Sequence, residues 1–340
     1  MLAARTLPAT GSFDCAALAS ARAFDASEFI ATAAPLPGLQ QEAGYIWGTV
    51  RDGDGTAYSV MRRIAPTPPT AESDGRKSLG GKLIVLSAEL GAEAMEMRRE
   101  PRGAADSADI TGTLIDENTA CLSSSPAAAG RPMRLVLGAD DFSYREDDVI
   151  DVTGRLAVAP LQWYLPGPKA SLLYTTQTWR VDGELTGKRV RGFLFWEQAW
   201  MLPGARLYVD KDPLHDARYL TWYSWANQWS DGSCEVGHFL FGQHDFHVGV
   251  TAHSDGTVTS ARQMDARVTR ADDGYWHAGI DYDLDGAAWV CEAPLQGRMR
   301  GLGPIPNPQQ EARIHRLDDI RTPELWMAWG ETVPAAGNGR

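Results

Sequence analysis

Asp-Gly steps between short extended runs restrict this chain more than any other feature. Asp52-Gly53-Asp54-Gly55, Asp231-Gly232 and Asp255-Gly256 each separate runs rich in β-branched and aromatic residues. Such pairs supply the left-handed backbone that a tight turn between antiparallel strands needs. Tyr45 to Arg51 and Thr56 to Ile64 flank the first turn. Tyr219 to Gln228, Ser233 to Phe241, Phe246 to His253 and Thr257 to Val268 surround the other two. Lys82 to Leu90, Met133 to Gly138, Leu172 to Arg180, Leu185 to Trp200 and Trp276 to Tyr282 read as further strands. No long amphipathic helices alternate with them, which excludes a parallel α/β protein and predicts an antiparallel sandwich or barrel.

At 340 residues the chain is long enough for two cores. Residues 12–34 carry Ala, Leu and Phe with few breakers and predict one helix or two short ones. The Pro-rich stretch 65–81 and the Ala/Gly/Pro stretch 123–132 read as loops. The expected domains are a helical N-terminal extension (1–40) and two β domains of similar size (41–185 and 186–335).

A formal net charge of −12 argues against nucleic acid as a partner, which a basic patch or stripe would signal. The cluster Lys188, Arg189 and Arg191 is too short to change this and reads as a solvated strand end. Cys15, Cys121, Cys234 and Cys291 form no CxxC pair, so zinc and redox motifs are not expected. Asp14 and Asp25 interrupt the Ala-rich N-terminal stretch, which lacks the pattern of a secretory signal. No run approaches the roughly 18 apolar residues of a membrane helix. The expectation is a cytoplasmic protein, which an apolar substrate can still bring close to a membrane.

Residues 192–200, Gly-Phe-Leu-Phe-Trp-Glu-Gln-Ala-Trp, place Glu197 in an otherwise apolar and aromatic run. A carboxyl so placed is desolvated, which raises its pKa and suits it to act as a general acid near neutral pH. Strand alternation puts Glu197 on one face with Phe193 and Phe195, and turns Leu194, Trp196, Gln198 and Trp200 to the other. The structural alternative is a buried ion pair with Arg206 or Arg218. Twelve tryptophans, seven of them between Trp163 and Trp229, either fill a wide core or line a cavity.

Three blocks carry a family resemblance. Gln41-Glu42-Ala43-Gly44-Tyr45-Ile46-Trp47-Gly48, followed by Asp54-Gly55-Thr56-Ala57-Tyr58, resembles the opening strand and hairpin of the AttH and carotenoid 1,2-hydratase superfamily. Gly187 to Trp200 resembles its strand leading to an aromatic-Asp-His-Gln/Asn-Trp motif, and Trp222 to Gly232 resembles the Trp-rich strand that follows. In order, the blocks cover roughly residues 40–290. The resemblance implies two lipocalin-like β-barrels packed together, with an apolar substrate site at or within them. Such relatives include hydratases, dehydratases and cyclases of terpenoid or polyketide substrates. The family's Asp is Glu197 here, its His is Gln198, and Ala199 replaces the next amide.

Other candidates are weaker. His238 lies on an expected central strand, and His277 stands beside Trp276. Tyr164 and Trp163 precede a Pro-Gly-Pro turn, and the opening block contributes Tyr45. Trp196, Trp200 and Trp225 are expected to shape the pocket. His244 and His247 differ in strand parity, and Asp245 is their one close companion, so no metal is predicted. P-loop, GxSxG and GxGxxG motifs are absent, which weakens nucleotide-cofactor and hydrolase readings. The sequence therefore predicts a lyase or isomerase that needs no cofactor and acts on an apolar small molecule, with Glu197 and His238 catalytic. A carrier holding a lipid or terpenoid in the same cavity is the alternative.

Overall fold

The computed structural model describes residues 18–30, 38–64, 83–89, 93–105, 109–165, 171–207, 219–242, 246–302 and 307–336. Their strands pair antiparallel in two curled sheets. The first holds β1 (Leu18–Ala21), β2 (Gln40–Asp52), β3 (Ala57–Ile64), β4 (Leu83–Ser87), β5 (Glu96–Met97), β6 (Ile110–Asp116) and β7 (Thr119–Ser124). It continues with β8 (Met133–Gly138), β9 (Asp141–Glu146), β10 (Ile150–Leu156), β11 (Leu161–Leu165), β12 (Leu172–Leu185) and β13 (Lys188–Met201). The second holds β14 (Tyr219–Gln228), β15 (Cys234–Gly242), β16 (His247–His253), β17 (Val258–Ser260) and β18 (Met264–Arg270). It ends with β19 (His277–Leu284), β20 (Ala287–Glu292), β21 (Gln309–Arg316) and β22 (Leu325–Thr332).

The strand orders are β5-β4-β3-β2-β13-β12-β10-β9-β8-β7-β6, with β11 and then β1 added beside β12, and β17-β16-β15-β14-β22-β21-β20-β19-β18. Each path has two edges, so the units are half-barrels, not closed barrels. The sheets divide the chain between Met201 and Tyr219, whereas residues 185 and 186 fall at the turn of the β12–β13 hairpin.

Turn chemistry sets the registers. Asp52, Asp231 and Asp255 each accept a hydrogen bond on the side chain from the backbone N–H two residues on, at 3.0, 2.9 and 2.8 Å. Gly55, Gly232 and Gly256 close those turns at positive φ. Between β12 and β13 the turn residues Thr186 and Gly187 both have positive φ, 49° and 79°. That turn sets Thr176 opposite Glu197.

Two expectations need correction. No N-terminal helix forms among the described residues. Leu18–Ala21 pairs instead with β11, and only one 3-10 turn follows, Ala26–Phe29, capped by the Asp25 side chain. The run Thr257 to Val268 is two strands. Ala261 N–H bonds to the Gly249 carbonyl, and the Asp285 carboxylate takes the N–H groups of Arg262 and Gln263, which breaks the ladder.

Three large apolar cores form among the described residues, beside a small cluster of Leu39, Leu173 and Trp200. Val85 of β4 and Leu135 of β8, distant in strand order, share one cluster, so the first sheet curls around a concave core. Tyr223, Phe239, Ile280 and Tyr282 fill the concave face of the second sheet. The third core lies between the sheets, where Trp47, Tyr174 and Phe195 of the first meet Trp222, Leu240 and Trp329 of the second. Strand β13 serves two cores. Leu194 and Trp196 point into the concave core, while Phe193 and Phe195 point into the seam between sheets.

Candidate functional site

Glu197 faces that seam. Tyr45 of β2 and Thr176 of β12 are its direct register partners. The hydrogen-bond donors to its Oε2 come from the diagonal neighbours on the same two strands, within reach on one sheet face. The Tyr174 hydroxyl donates to Glu197 Oε2 at 2.6 Å, and the Trp47 indole N–H donates to the same oxygen. Oε1 is buried without a hydrogen bond of good geometry, and the Thr176 hydroxyl opposite is the third donor that draws the carboxyl down.

Glu197 differs from buried Glu146 and Glu311 and from half-buried Glu42, each of which has an arginine beside it. Glu146 pairs with Arg62 at 3.0 Å, Glu42 with Arg63 at 2.8 Å, and Glu311 with Arg51. Glu197 has no ion pair among the described residues. Arg218, one partner considered from sequence, lies outside them. Burial pushes the Glu197 carboxyl up to about 8, against the opposing pull of its hydrogen bonds. Because two donors occupy Oε2, the proton of the neutral acid belongs on Oε1.

His238 of β15 enters the seam from the other sheet. Its ring lies 4.6 Å from that of Trp163 and 5.7 Å from that of Phe195. Trp163 stacks on Tyr174 at 4.8 Å, and Phe195 stacks on Trp47 at 4.9 Å. A ring of side chains thus runs Glu197, Trp47, Phe195, His238, Trp163, Tyr174 and back to Glu197. Ser224 Oγ lies 2.7 Å from His238 Nδ1, and Nε2 is buried without a partner. Desolvation pulls the imidazole down to about 3, so it is neutral at physiological pH. The seam therefore contains a protonated carboxyl and a neutral imidazole, each with one polar atom that lacks a hydrogen bond of good geometry, in apolar aromatic surroundings.

The remaining sequence candidates divide. Trp163 joins the ring. Tyr45 is opposite Glu197, but its hydroxyl donates to Glu42 at 2.9 Å. Trp196 turns into the first concave core, 6.0 Å from Phe29. Trp200 packs with Leu39 and Leu173, and Tyr164 lies against that small cluster. Trp225 faces the second concave core, where its ring covers Gly237; a Cβ there would come within 2.5 Å of the indole. His277 is in the second sheet, 2.6 Å from the Tyr223 hydroxyl. His244 and Asp245 lie outside the described residues. Trp47, Tyr174 and Ser224 were not assigned roles from sequence. The Thr186-Gly187 turn is the signal for Tyr174, because it fixes the pairing that makes Tyr174 diagonal to Glu197.

No family model and no curated protein matches the chain. Solved structures are similar to it, among them two whose likeness spans most of the chain. One is a Nitrosomonas europaea protein described as AttH, 13% identical, covering 89% of this chain and 98% of its own, with a TM-score of 0.48. The other is kievitone hydratase from Nectria haematococca, 8% identical, covering 93% of this chain and 96% of its own, with a TM-score of 0.43. The first bears the name of the superfamily that the three sequence blocks resemble.

Proposed function

We propose that the chain is a lyase or isomerase, a hydratase, dehydratase or cyclase, whose acid/base chemistry is supplied by its own side chains. Its substrate would be an apolar terpenoid, steroid or polyketide-like molecule admitted between the two sheets. One observation carries the reading: Glu197 is a buried acid with no cation beside it among the described residues, and its Oε1 has no hydrogen bond of good geometry.

In the dehydration direction, Glu197 Oε1–H protonates a departing hydroxyl and the C–O bond breaks to release water. His238 Nε2 takes the proton from the adjacent carbon, whose C–H electrons form the double bond. The step leaves a carboxylate and an imidazolium, and proton transfer between them restores the starting pair. Hydration is the reverse. For a cyclisation, Glu197 protonates an alkene and His238 removes the final proton. His238 acts as a base only with its proton on Nδ1 and donated to Ser224. The indoles of Trp47 and Trp163 supply cation–π attraction to positive charge formed beside them. Trp47 and Tyr174 position Glu197 and stabilise its carboxylate.

The test is turnover of a panel of apolar polyenes, tertiary alcohols and hydroxyketones in deuterated, 18O-labelled water, read by mass spectrometry. The wild type is expected to add or lose water, or to incorporate solvent deuterium, on at least one class, and Glu197→Gln to lose this. A normally folded E197Q with unchanged turnover overturns the assignment. Tight retention of a panel member without any mass change in the wild type favours the carrier.

A further inference from the structure

The second sheet contains a separate cluster of uncommitted donors. Arg270 of β18 and His277 of β19 are register partners, and Arg298 forms an isolated bridge with Gln310 of β21. His277 and Gln310 are connected, because the His277 backbone N–H donates to Gln310 Oε1 at 3.3 Å. The bond orients the amide and makes Nε2 its free end. His277 and Gln310 are both fully buried.

Each member carries a buried polar atom without a hydrogen-bond partner: Arg270 Nη1, His277 Nδ1, Arg298 Nε and Gln310 Nε2. The Tyr223 hydroxyl lies 2.6 Å from Nε2 of the His277 ring. Burial and the nearby charges of Arg270 and Arg298 keep that ring neutral. Arg270 Nη1, Arg298 Nε and Gln310 Nε2 are N–H donors whichever ring nitrogen of His277 carries the proton.

In a chain of net charge −12, neither arginine has a carboxylate partner among the described residues. Arg298 lies over the Trp276 ring at 5.6 Å. Asp273, whose carboxylate feels Arg298, accepts the backbone N–H groups of Tyr275 and Trp276 at 3.0 and 3.2 Å. Buried donors without acceptors are costly, and two guanidinium groups suit an oxyanion offering several acceptors in one plane or around one centre.

We infer that Arg270, His277, Arg298 and Gln310 form a binding site for the oxyanion of a small molecule, a carboxylate or a phosphate. This site is in a different sheet from Glu197 and does not depend on the reading of that acid.

Calorimetric titrations with inorganic phosphate and with hexanoate at matched ionic strength test the inference on the full chain. Saturable binding of one or both is expected, and which anion binds distinguishes phosphate from carboxylate. Arg298→Gln is expected to weaken binding at least tenfold, and Arg270→Gln, at a partly exposed position, to do the same without loss of fold. The His277 imidazole nitrogen resonances should shift on saturation in the wild type. No saturable binding of either anion, or equal affinity in wild type and both variants, overturns the site.

Discussion

Glu197 and His238 belong to different sheets, and two stacked aromatic pairs join them: Trp47 on Phe195, and Tyr174 on Trp163. The two groups are opposite in protonation preference. Burial keeps a proton on the acid and keeps one off the base. That division suits proton donation and acceptance at one pH.

Glu197→Gln keeps the side-chain shape and the acceptor for Tyr174 but removes the transferable proton. Its turnover is expected to fall by about 100-fold or more, the usual contribution of a positioned general acid. Circular dichroism and the unfolding midpoint check that the fold survives.

The same substitution changes how stability depends on pH. The Glu197 carboxyl titrates at about 8 in the fold against an ordinary value of 4.5. Between those values the unfolded chain releases the proton and the native chain keeps it, so wild-type stability falls as pH rises from about 4.5 to about 8. The slope is at most about 1.4 kcal/mol per pH unit. Urea titrations at pH 5, 6, 7 and 8 should show E197Q gaining on the wild type across this range. Parallel curves would refute the elevated carboxyl.

Tyr174→Phe removes a donor to Glu197 Oε2 and leaves the stacking on Trp163. Losing a hydrogen bond to the charged form raises the carboxyl further. The alkaline limb of the pH–rate profile, where the acid loses its proton, or the carboxyl stretch followed by infrared titration, should move upward in Y174F. A profile identical to wild type would show that the 2.6 Å contact does not tune the acid.

His238 contributes on the acid side. It titrates at about 3 in the fold against 6.5 in the unfolded chain, which therefore binds a proton that the native chain refuses. Stability is lost as pH falls from about 6.5 toward 3. His238→Gln should flatten part of that loss, with His277, also lowered to about 3, responsible for a further part. Denaturation midpoints at pH 4 and pH 7 measure the difference.

The β architecture was readable where apolar runs met turn residues. Strands β14 to β16 follow from their Asp-Gly turns and aromatic runs, whereas the Thr186-Gly187 turn of the β12–β13 hairpin falls inside the expected strand Leu185 to Trp200 and at the expected domain boundary. Strand β21 was not readable, because Gln309, Gln310 and Glu311 look like surface residues. They are buried because Trp329, His277 and Arg51, from other strands, hydrogen-bond to them. At the site, alternation already set Glu197 apart from Trp196 and Trp200. Which core receives Trp225 depends on its pairing with Gly237 and Ala328, a long-range fact that one strand's sequence does not contain.

That pairing has a measurable cost. A methyl at Gly237 would collide with the Trp225 indole at 2.5 Å. Gly237→Ala is expected to destabilise by about 1–3 kcal/mol, as overpacked cores do, with little direct effect on Glu197. Chemical denaturation alongside turnover separates the two.

The acid is on strand β13 and the imidazole on β15, and the aromatic seam, with the Arg51–Glu311 ion pair and the Met95–Met299 bridge, joins the sheets that own them. Neither half-barrel alone can hold both reacting groups. Under the proposed chemistry, the strength with which the two halves adhere therefore limits turnover. Under the same chemistry, a smaller residue at Trp222, which packs in that seam, is expected to lower turnover.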